Sequence, residues 1–184
     1  MRYDIRHFKT LPSTNDTALA MAREGAPEGV VITTDYQTRG RGTKQRKWIS
    51  PRGWNLLFSI VVRPRTGAHK APLLTRIAAN AVKAVLTAEC PGVVVRIKKP
   101  NDVLMNEKKI GGILVESSSK GGKLDFAVVG MGINVGGRMS TKISGSTSIY
   151  EEISKKIEKN KLLTLILEEF KLKYLECFNS SEFN

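Results

Sequence analysis

The chain has 184 residues, of which 41% are hydrophobic and 26% charged, a composition that allows a buried core and excludes a disordered protein. Thirty lysines and arginines against 17 acidic residues give a net charge of +13. This charge indicates an anionic partner: nucleic acid, a nucleotide, a membrane surface or an acidic protein. No apolar run approaches the roughly 18 residues of a membrane span, and residues 1–10 lack the apolar segment of a secretory signal.

The cysteines and histidines form no recognised motif. Cys90 and Cys177 lie outside any Cys-x-x-Cys pattern, and His7 and His69 are isolated. We therefore expect two free thiols in a reducing cytoplasm and no transition metal held by the protein.

The spacing of apolar residues predicts most of the secondary structure. In chain order, the patterns predict a helix over 14–24, a strand over 30–34, a loop over 37–47, a strand over 54–63, a helix over 71–89, strands over 93–98, 103–106, 110–116 and 124–134, and helices over 148–157 and 161–177. This order predicts an α+β fold with helices against one face of a mixed, largely antiparallel sheet. The 54–63 strand is mostly apolar, so we expect it to be buried on both faces. The segment 136–148, rich in Gly, Ser and Thr, is the candidate linker.

The basic loop over 37–47 is the first candidate site. Gly40 and Gly42 allow the backbone to approach a ligand closely, and Trp48 after the loop can stack on a base. The flanking cations are Arg39, Arg41, Lys44, Arg46 and Lys47. Guanidinium groups and backbone N–H groups together suit a phosphate or carboxylate ligand. A solvated surface loop fits the same composition, so the loop alone identifies no ligand.

Three later motifs place glycines or polar residues at the ends of predicted strands. They are Lys98-Lys99-Pro100-Asn101-Asp102, the run from Lys108 to Glu116 with Gly111 and Gly112, and Gly130-Met131-Gly132-Ile133-Asn134. Glycines inside a strand suggest that another group approaches the backbone. The last motif resembles half of a dinucleotide-binding Gly-x-Gly-x-x-Gly pattern, but no helix is predicted to begin there, so the sequence does not favour a dinucleotide site.

Together with Ser13-Thr14-Asn15, these motifs occur in an order that resembles the catalytic domain of a biotin protein ligase, over about residues 7–136. The resemblance implies the fold shared by biotin and lipoate ligases, which is similar to that of class II aminoacyl-tRNA synthetases. It further implies one catalytic domain over 1–184, with a motif-bearing core at 1–136 and C-terminal helices at 146–184. The DNA-binding extension and the C-terminal SH3-like barrel that the family usually carries are expected to be absent.

The resemblance implies ATP-dependent activation of biotin to biotinyl-5'-AMP, followed by transfer to a lysine of an acidic biotin carboxyl carrier protein. ATP and biotin are the expected ligands, and Mg²⁺ is expected to arrive with ATP. The expected location is the cytoplasm, with no DNA partner and no membrane. A homodimer is a further expectation.

The resemblance also assigns roles to residues. Lys109 and Arg41 are the expected catalytic residues. The expected biotin contacts are Ser13, Thr14, Asn15, Gln37, Gly40, Arg41, Lys109, Gly111, Gly112 and Ile113. The expected nucleotide contacts are Arg41, Arg46, Trp48, Asn101, Asp102, Lys109 and Asn134. No protein metal site is implied, although Asp102 can help to hold the Mg²⁺ of ATP. We expect loop 37–47 to be disordered without ligand and to fold over biotinyl-AMP.

The chain departs from the family pattern at two positions. Thr43 stands where a second arginine usually follows Gly-Arg-Gly, and the neighbouring Lys44 offers a point charge rather than a guanidinium fork. We therefore expect weaker retention of biotinyl-AMP. Lys99 stands where a tryptophan usually precedes Pro-Asn-Asp, which alters packing on the nucleotide side.

Two alternatives stay open at this point. A lipoate or octanoate ligase or transferase shares the fold and modifies a similar lysine, but the Arg-Arg-x-Ser-Gly-Gly-Gly run of those enzymes is not found here. A non-catalytic protein that binds biotin or nucleic acid is the second alternative, and strongly salt-dependent DNA binding would support its nucleic-acid form.

Overall fold

The computed structural model describes residues 1–179, apart from the side chains of Gln45 and Asn179. Its helices are α1 (Thr14–Arg23), α2 (Ala71–Glu89), α3 (Ile149–Ile153) and α4 (Lys159–Asn179). Its strands are β1 (Asp4–Phe8), β2 (Val30–Thr34), β3 (Asn55–Val62), β4 (Val95–Lys98), β5 (Asp102–Met105), β6 (Lys108–Lys120) and β7 (Lys123–Asn134). Every helix and strand predicted from the sequence is present; β2 and α2 have the predicted bounds, and the other elements are shifted at one or both ends.

The strands form one sheet in the order β1-β2-β3-β7-β6-β5-β4. The β1–β2 pair is parallel and all other neighbours are antiparallel, which confirms the predicted mixed, largely antiparallel sheet. β6 and β7 form a long hairpin that turns at Gly121 and Gly122, both with positive φ. In its register Gly112 faces Gly132 directly, so the glycines of two motifs become neighbours.

Helices cover both faces of the sheet, so the prediction that they lie on one face is wrong. The larger core joins α2 and α4 to residues of β3 such as Phe58. On the opposite face, Ala18 of α1 packs in a smaller core with Ile32 and Val61. The reason is that every residue of β3 is buried, so apolar side chains point to both faces and each face requires a cover. Burial of this strand on both faces confirms the sequence prediction.

Strand β1 at the edge of the sheet was not predicted. Its residues Asp4–Phe8 pair in parallel with Val30–Thr34, but four of the five are exposed. An exposed edge strand needs no apolar alternation, so the sequence carries no strand pattern there.

The segment 136–148 is not a linker. The backbone N–H of Lys109 donates to the carbonyl of Gly145, and the N–H of Thr147 donates to the carbonyl of Lys109, both at 2.9 Å. Ser148 then caps α3 by accepting a hydrogen bond from the N–H of Glu151. Small polar residues here serve close backbone pairing rather than flexibility, and the segment holds the start of β6.

No helix within residues 1–179 combines the length and apolar character needed to cross a bilayer. Cys90 and Cys177 are free thiols, as predicted. Cys90 is buried, and burial raises the pKa of its thiol.

Candidate active site

The sequence motifs meet at one cleft between the start of α1, loop 37–47 and the central strands β6 and β7. A cavity of about 120 Å³ lies there. Twelve of the predicted site residues line it: Ser13, Thr14, Asn15, Gln37, Arg41, Arg46, Trp48, Asn101, Asp102, Lys109, Gly112 and Ile113. Gly40, Gly111 and Asn134 do not line this cavity, although Gly40 lines its neighbour on the other side of the loop. The structure thus brings together residues that the sequence spreads over 100 positions.

A polar network forms one end of the cleft. Ser13 caps α1 through the N–H of Asp16, and Gln37 Oε1 accepts hydrogen bonds from the N–H and the hydroxyl of Thr14 at 2.8 and 3.1 Å. Ser59 Oγ lies 2.6 Å from Asn15 Oδ1. These contacts fix the orientation of neutral donors and acceptors that line the cleft.

Ser59 belongs to this network and sequence reasoning missed it. It is fully buried on β3, and its hydroxyl lies 2.8 Å from that of Thr14 as well as beside Asn15. A single serine within the apolar run of this strand was the available signal, because a buried hydroxyl requires a hydrogen-bond partner.

Three glycines form the floor of the cleft because other side chains occupy the space of a Cβ. A Cβ on Gly130 would overlap Asn15 Oδ1. A Cβ on Gly132 would lie 2.7 Å from the Trp48 ring, and one on Gly112 would lie 3.0 Å from it. The indole therefore lies directly on the backbone of β6 and β7, which explains the glycines that the sequence placed inside strands.

Lys109 reaches the cleft from the start of β6 with an acidic partner already in place. Its Nζ lies 2.6 Å from Asp102 Oδ1 and 5.6 Å from the centre of the Trp48 ring. Both side chains of the ion pair are partly exposed. Lys109 thus presents a cation at the mouth of the cleft, where an incoming anion can compete with Asp102.

Arg41 also lines the cleft and lies between two carboxylates. Its Nη1 and Nη2 donate to the two oxygens of Glu116 at 3.0 and 2.6 Å, and Nη2 also lies 2.6 Å from Asp16 Oδ1. Burial lowers the pKa of Arg41, but hydrogen bonds and charge from Glu116 and Asp16 outweigh this and raise the pKa overall. The guanidinium stays charged at any working pH.

The two predicted nucleotide-side asparagines have structural partners. Asn101 donates its amide to the carbonyl of Ile113 at 2.9 Å and lines the cleft. Asn134 is buried, donates to the carbonyl of Thr147 and accepts from Asn55. Their roles toward a nucleotide stay predictions.

Glu152 of α3 supports the site from behind and was not predicted. Its carboxylate accepts hydrogen bonds from Thr147 at 2.6 Å and Asn106 at 2.7 Å, and Lys108 lies 3.5 Å away. Burial raises the pKa of Glu152, but the two hydrogen bonds and the Lys108 charge outweigh this and lower the pKa overall. Because Thr147 pairs with the backbone of Lys109, Glu152 ties α3 to the start of β6.

Loop 37–47 folds back on itself over the cleft. The N–H of Gly42 donates to the carbonyl of Arg46 at 2.7 Å, and that of Trp48 donates to Gly40 at 2.9 Å. A Cβ on Gly40 would lie 2.5 Å from the Trp48 carbonyl, so this approach requires glycine. Thr43 lines the cavity. The expected disorder of the loop without ligand stays a prediction.

Within the described part of the chain, no group of three or more His, Cys, Asp or Glu side chains could hold a metal ion. Asp102 offers one carboxylate to the cleft. A single carboxylate suits Mg²⁺ that arrives already bound to phosphate oxygens.

Comparison with known proteins matches residues 7–134 to the model of the biotin/lipoate A/B protein ligase family. The bifunctional ligase/repressor BirA of Bacillus subtilis is 38% identical over 73% of this chain and 41% of its own length. The biotin–[acetyl-CoA-carboxylase] ligase of Paracoccus denitrificans is 40% identical over 68% of this chain and 52% of its own length. The chain thus spans about two fifths to one half of these curated relatives.

Solved structures of biotin protein ligases share the fold. The Aquifex aeolicus enzyme in complex with biotin and ATP superposes with a TM-score of 0.80 at 28% identity, covering 97% of this chain and 73% of that one. The Leishmania major enzyme in complex with biotinyl-5-AMP gives a TM-score of 0.77 at 25% identity, covering 96% and 80%. These likenesses extend over both helical layers and the whole sheet, and they agree with the family match. The chain belongs to the biotin/lipoate A/B protein ligase family.

Proposed function

We propose that this chain is a biotin protein ligase, which activates biotin with ATP to biotinyl-5'-AMP and transfers the biotinyl group to a lysine of a biotin carboxyl carrier protein. One observation carries the proposal. Two cations, Lys109 and Arg41, flank a glycine-floored cleft whose inner end is a neutral polar network. A ligand with a carboxylate at one end and a neutral hydrogen-bonding ring at the other suits this arrangement.

The inner end of the cleft suits the cyclic urea of biotin. Thr14, Asn15 and Gln37 offer fixed donors and acceptors there, and Ser59 holds two of them in place. Leu57 and Met131 add apolar lining for the sulfur-containing ring. The bare backbone at Gly112 and Gly132 lets the flat indole of Trp48 pack directly on the strands that form the floor of the cleft.

The outer end suits the first chemical step. The biotin carboxylate oxygen attacks the α-phosphorus of ATP, the bond to the bridging oxygen of pyrophosphate breaks, and a mixed anhydride forms. Two anions must approach each other, so preorganised positive charge is the main requirement. Lys109 and Arg41 supply that charge, and Lys109 exchanges Asp102 for the substrate anion.

In the second step the amine of the carrier lysine attacks the anhydride carbonyl, the amide bond forms and AMP leaves with the bonding electrons. AMP remains between the same cations, which stabilise its developing negative charge. The amine must arrive neutral, so its proton passes to solvent or to AMP. Mg²⁺ bound with ATP would neutralise phosphate charge, and Asp102 is the carboxylate that would hold it.

The positions at which this chain differs from the family pattern lie on the nucleotide side of the proposed site. Trp48 is proposed to cover the adenine, and Arg46 to meet phosphate. Thr43 lines the cavity with a short neutral side chain, so biotinyl-AMP is proposed to leave the site more readily than with an arginine there.

Exposed cations on the protein surface support an acidic carrier. Lys47, Lys98 and Lys99 are exposed, and none of them forms an ion pair with any residue between 1 and 179. Unpaired surface cations favour an anionic protein surface and make its association salt-dependent. Transfer to the carrier is therefore expected to slow as ionic strength rises.

Cytoplasmic location, homodimerisation and the absence of a DNA partner stay predictions, and sufficiency of this chain for both steps is part of the proposal.

The test is exchange of labelled pyrophosphate into ATP, with biotin or lipoate in parallel reactions. Exchange with biotin alone, abolished by Lys109→Ala and retained by Lys120→Ala on the same strand, is the expected result. Exchange with lipoate alone would overturn the proposal in favour of lipoate activation. Biotin binding by calorimetry without any exchange would make the chain a non-catalytic biotin-binding protein.

A further inference from the structure

The two carboxylates on Arg41 are geometrically unequal. We propose that Glu116 is a positioning residue that holds Arg41 toward the substrate, and that Asp16 is a resident anion which the substrate displaces. The inference rests on the proposed function, since it concerns how Arg41 becomes available to the biotin carboxylate and the α-phosphate. Glu116 closes the Ile-Gly-Gly-Ile-Leu-Val-Glu motif but had no role in the predicted site.

Glu116 holds Arg41 with a bidentate contact from a rigid strand. Both of its oxygens accept from the guanidinium, and its side chain is 28% exposed against 46% for Asp16. A bidentate guanidinium–carboxylate pair fixes orientation as well as distance. The contact therefore sets where the remaining N–H groups of Arg41 point.

Glu116 also connects Arg41 to the buried end of the site. Its Oε2 accepts a hydrogen bond from Asn15 Nδ2 at 2.9 Å, and Asn15 Oδ1 lies 2.6 Å from Ser59 Oγ. Asn15 is only 4% exposed. One carboxylate thus orients a group at the urea end and a group at the carboxylate end of the proposed biotin site.

Asp16 is the weaker partner. Its exposed side chain, in the first turn of α1, reaches Arg41 through one oxygen. The helix N-terminus already stabilises a carboxylate at this position, so Asp16 loses little when Arg41 turns to another anion.

The net charge around Arg41 explains why the substrate must displace one of the two carboxylates. Arg41 with Glu116 and Asp16 carries a net charge of −1, which repels the substrate carboxylate. A guanidinium has five N–H donors. When the substrate replaces Asp16, it gains a donor on Nη2, and the bidentate contact to Glu116 is retained.

Glu116→Gln and Asp16→Asn test this as a matched pair, because each removes one negative charge beside the same guanidinium. In biotin-dependent pyrophosphate exchange, Glu116→Gln is expected to raise KM for biotin about tenfold and to lower kcat. Asp16→Asn is expected to lower KM for biotin about twofold with kcat retained. Glu116→Asp, which restores the charge, is expected to recover part of the lost kcat/KM. A shift of both KM values in the same direction overturns the proposal.

A second measurement needs no catalysis, so it tests the positioning role of Glu116 separately from the proposed function. Trypsin cleavage of the ligand-free protein within residues 39–47 reports how firmly Arg41 anchors the loop. Glu116→Gln is expected to speed cleavage several-fold, and Asp16→Asn to leave it close to the wild-type rate. If the wild-type protein shows no biotin-dependent pyrophosphate exchange, the proposed function is overturned, and the cleavage rates still decide the positioning role of Glu116. Equal cleavage of all three proteins, with unchanged thermal midpoints, would end the positioning role of Glu116.

Discussion

Lys109 Nζ and Asp102 Oδ1 lie 2.6 Å apart across the β5–β6 hairpin, so the proposed catalytic lysine meets an anion of the protein before it meets the substrate. The pair holds the ammonium extended into the cleft. A substrate carboxylate then exchanges one ion pair for another, which limits the desolvation cost of binding.

Replacing Asp102 separates binding from chemistry. Asp102→Asn is expected to leave biotin affinity within about threefold of wild type, because Lys109 keeps its charge. Exchange is expected to fall by at least about tenfold, since the proposed contact with the Mg²⁺ of ATP is lost. Calorimetry with biotin and pyrophosphate exchange measure the two effects. Unchanged exchange at saturating ATP would contradict the proposed role of Asp102.

Gly132 tests the contact between the floor and Trp48. Gly132→Ala places a methyl group 2.7 Å from the indole, closer than real Cβ contacts allow, so Trp48 and the loop must move. We expect exchange to fall about tenfold or more, with a much smaller change in thermal midpoint because the loop can relax. Gly136→Ala is the control, since its Cβ meets its nearest atom at 3.4 Å. Equal activity of both variants would rule out the crowding argument.

Thr43 tests retention of the reactive intermediate. Thr43→Arg is expected to reduce labelling of bystander lysines about tenfold, while transfer to the carrier is retained. Thr43→Lys, which adds the charge without the planar fork, is expected to have a smaller effect. Blotting for biotin on added albumin and on carrier gives both rates. The same bystander labelling by wild type and Thr43→Arg would refute weak retention.

The lowered pKa of Glu152 leads to a prediction of how the stability of the fold depends on pH. Its folded-state pKa is lowered below the usual 4.5, so its carboxylate stabilises the fold above that value and loses this contribution as pH falls through the folded-state pKa. Glu152→Gln is therefore expected to lower the free energy of unfolding by about 1–2 kcal/mol at pH 7. The difference from wild type is expected to shrink below pH 4.5. Urea unfolding at pH 7 and below pH 4.5 measures this difference in the free energy of unfolding, with the exposed Glu158→Gln as control. A difference between Glu152→Gln and wild type that grows in acid would contradict the prediction.

Local spacing allowed the sheet type and most elements to be predicted from the sequence, and the resemblance to biotin protein ligases supplied the residues of the cleft. The sequence did not reveal why Gly130 must be glycine, since the side chain that occupies its Cβ position is Asn15, from a distant helix. The partners of Arg41 were missed for the same reason: Asp16 and Glu116 come from α1 and β6 and meet only in the folded chain.

Two errors have a common physical cause. The small polar residues of 136–148 were read as a linker, although Gly145 and Thr147 pair with the backbone of Lys109. The second helical layer was missed because α1 is short, and its burial is carried by small residues such as Ala18 and Ala22. Small residues permit both flexible and tightly packed backbone, and only tertiary contacts distinguish the two.

The direct pairing of Gly112 with Gly132 makes the hydrogen-bond register of one hairpin a determinant of the shape of the cleft floor. A slip of one residue would set Gly112 against Met131 or Ile133, and a bulky side chain would then stand where two bare backbones now meet. We therefore expect changes in the length of the β6–β7 turn to be tolerated only when the added residues stay outside the paired region. In this protein the fit of the Trp48 indole on the cleft floor is encoded in strand alignment as much as in the identity of any side chain.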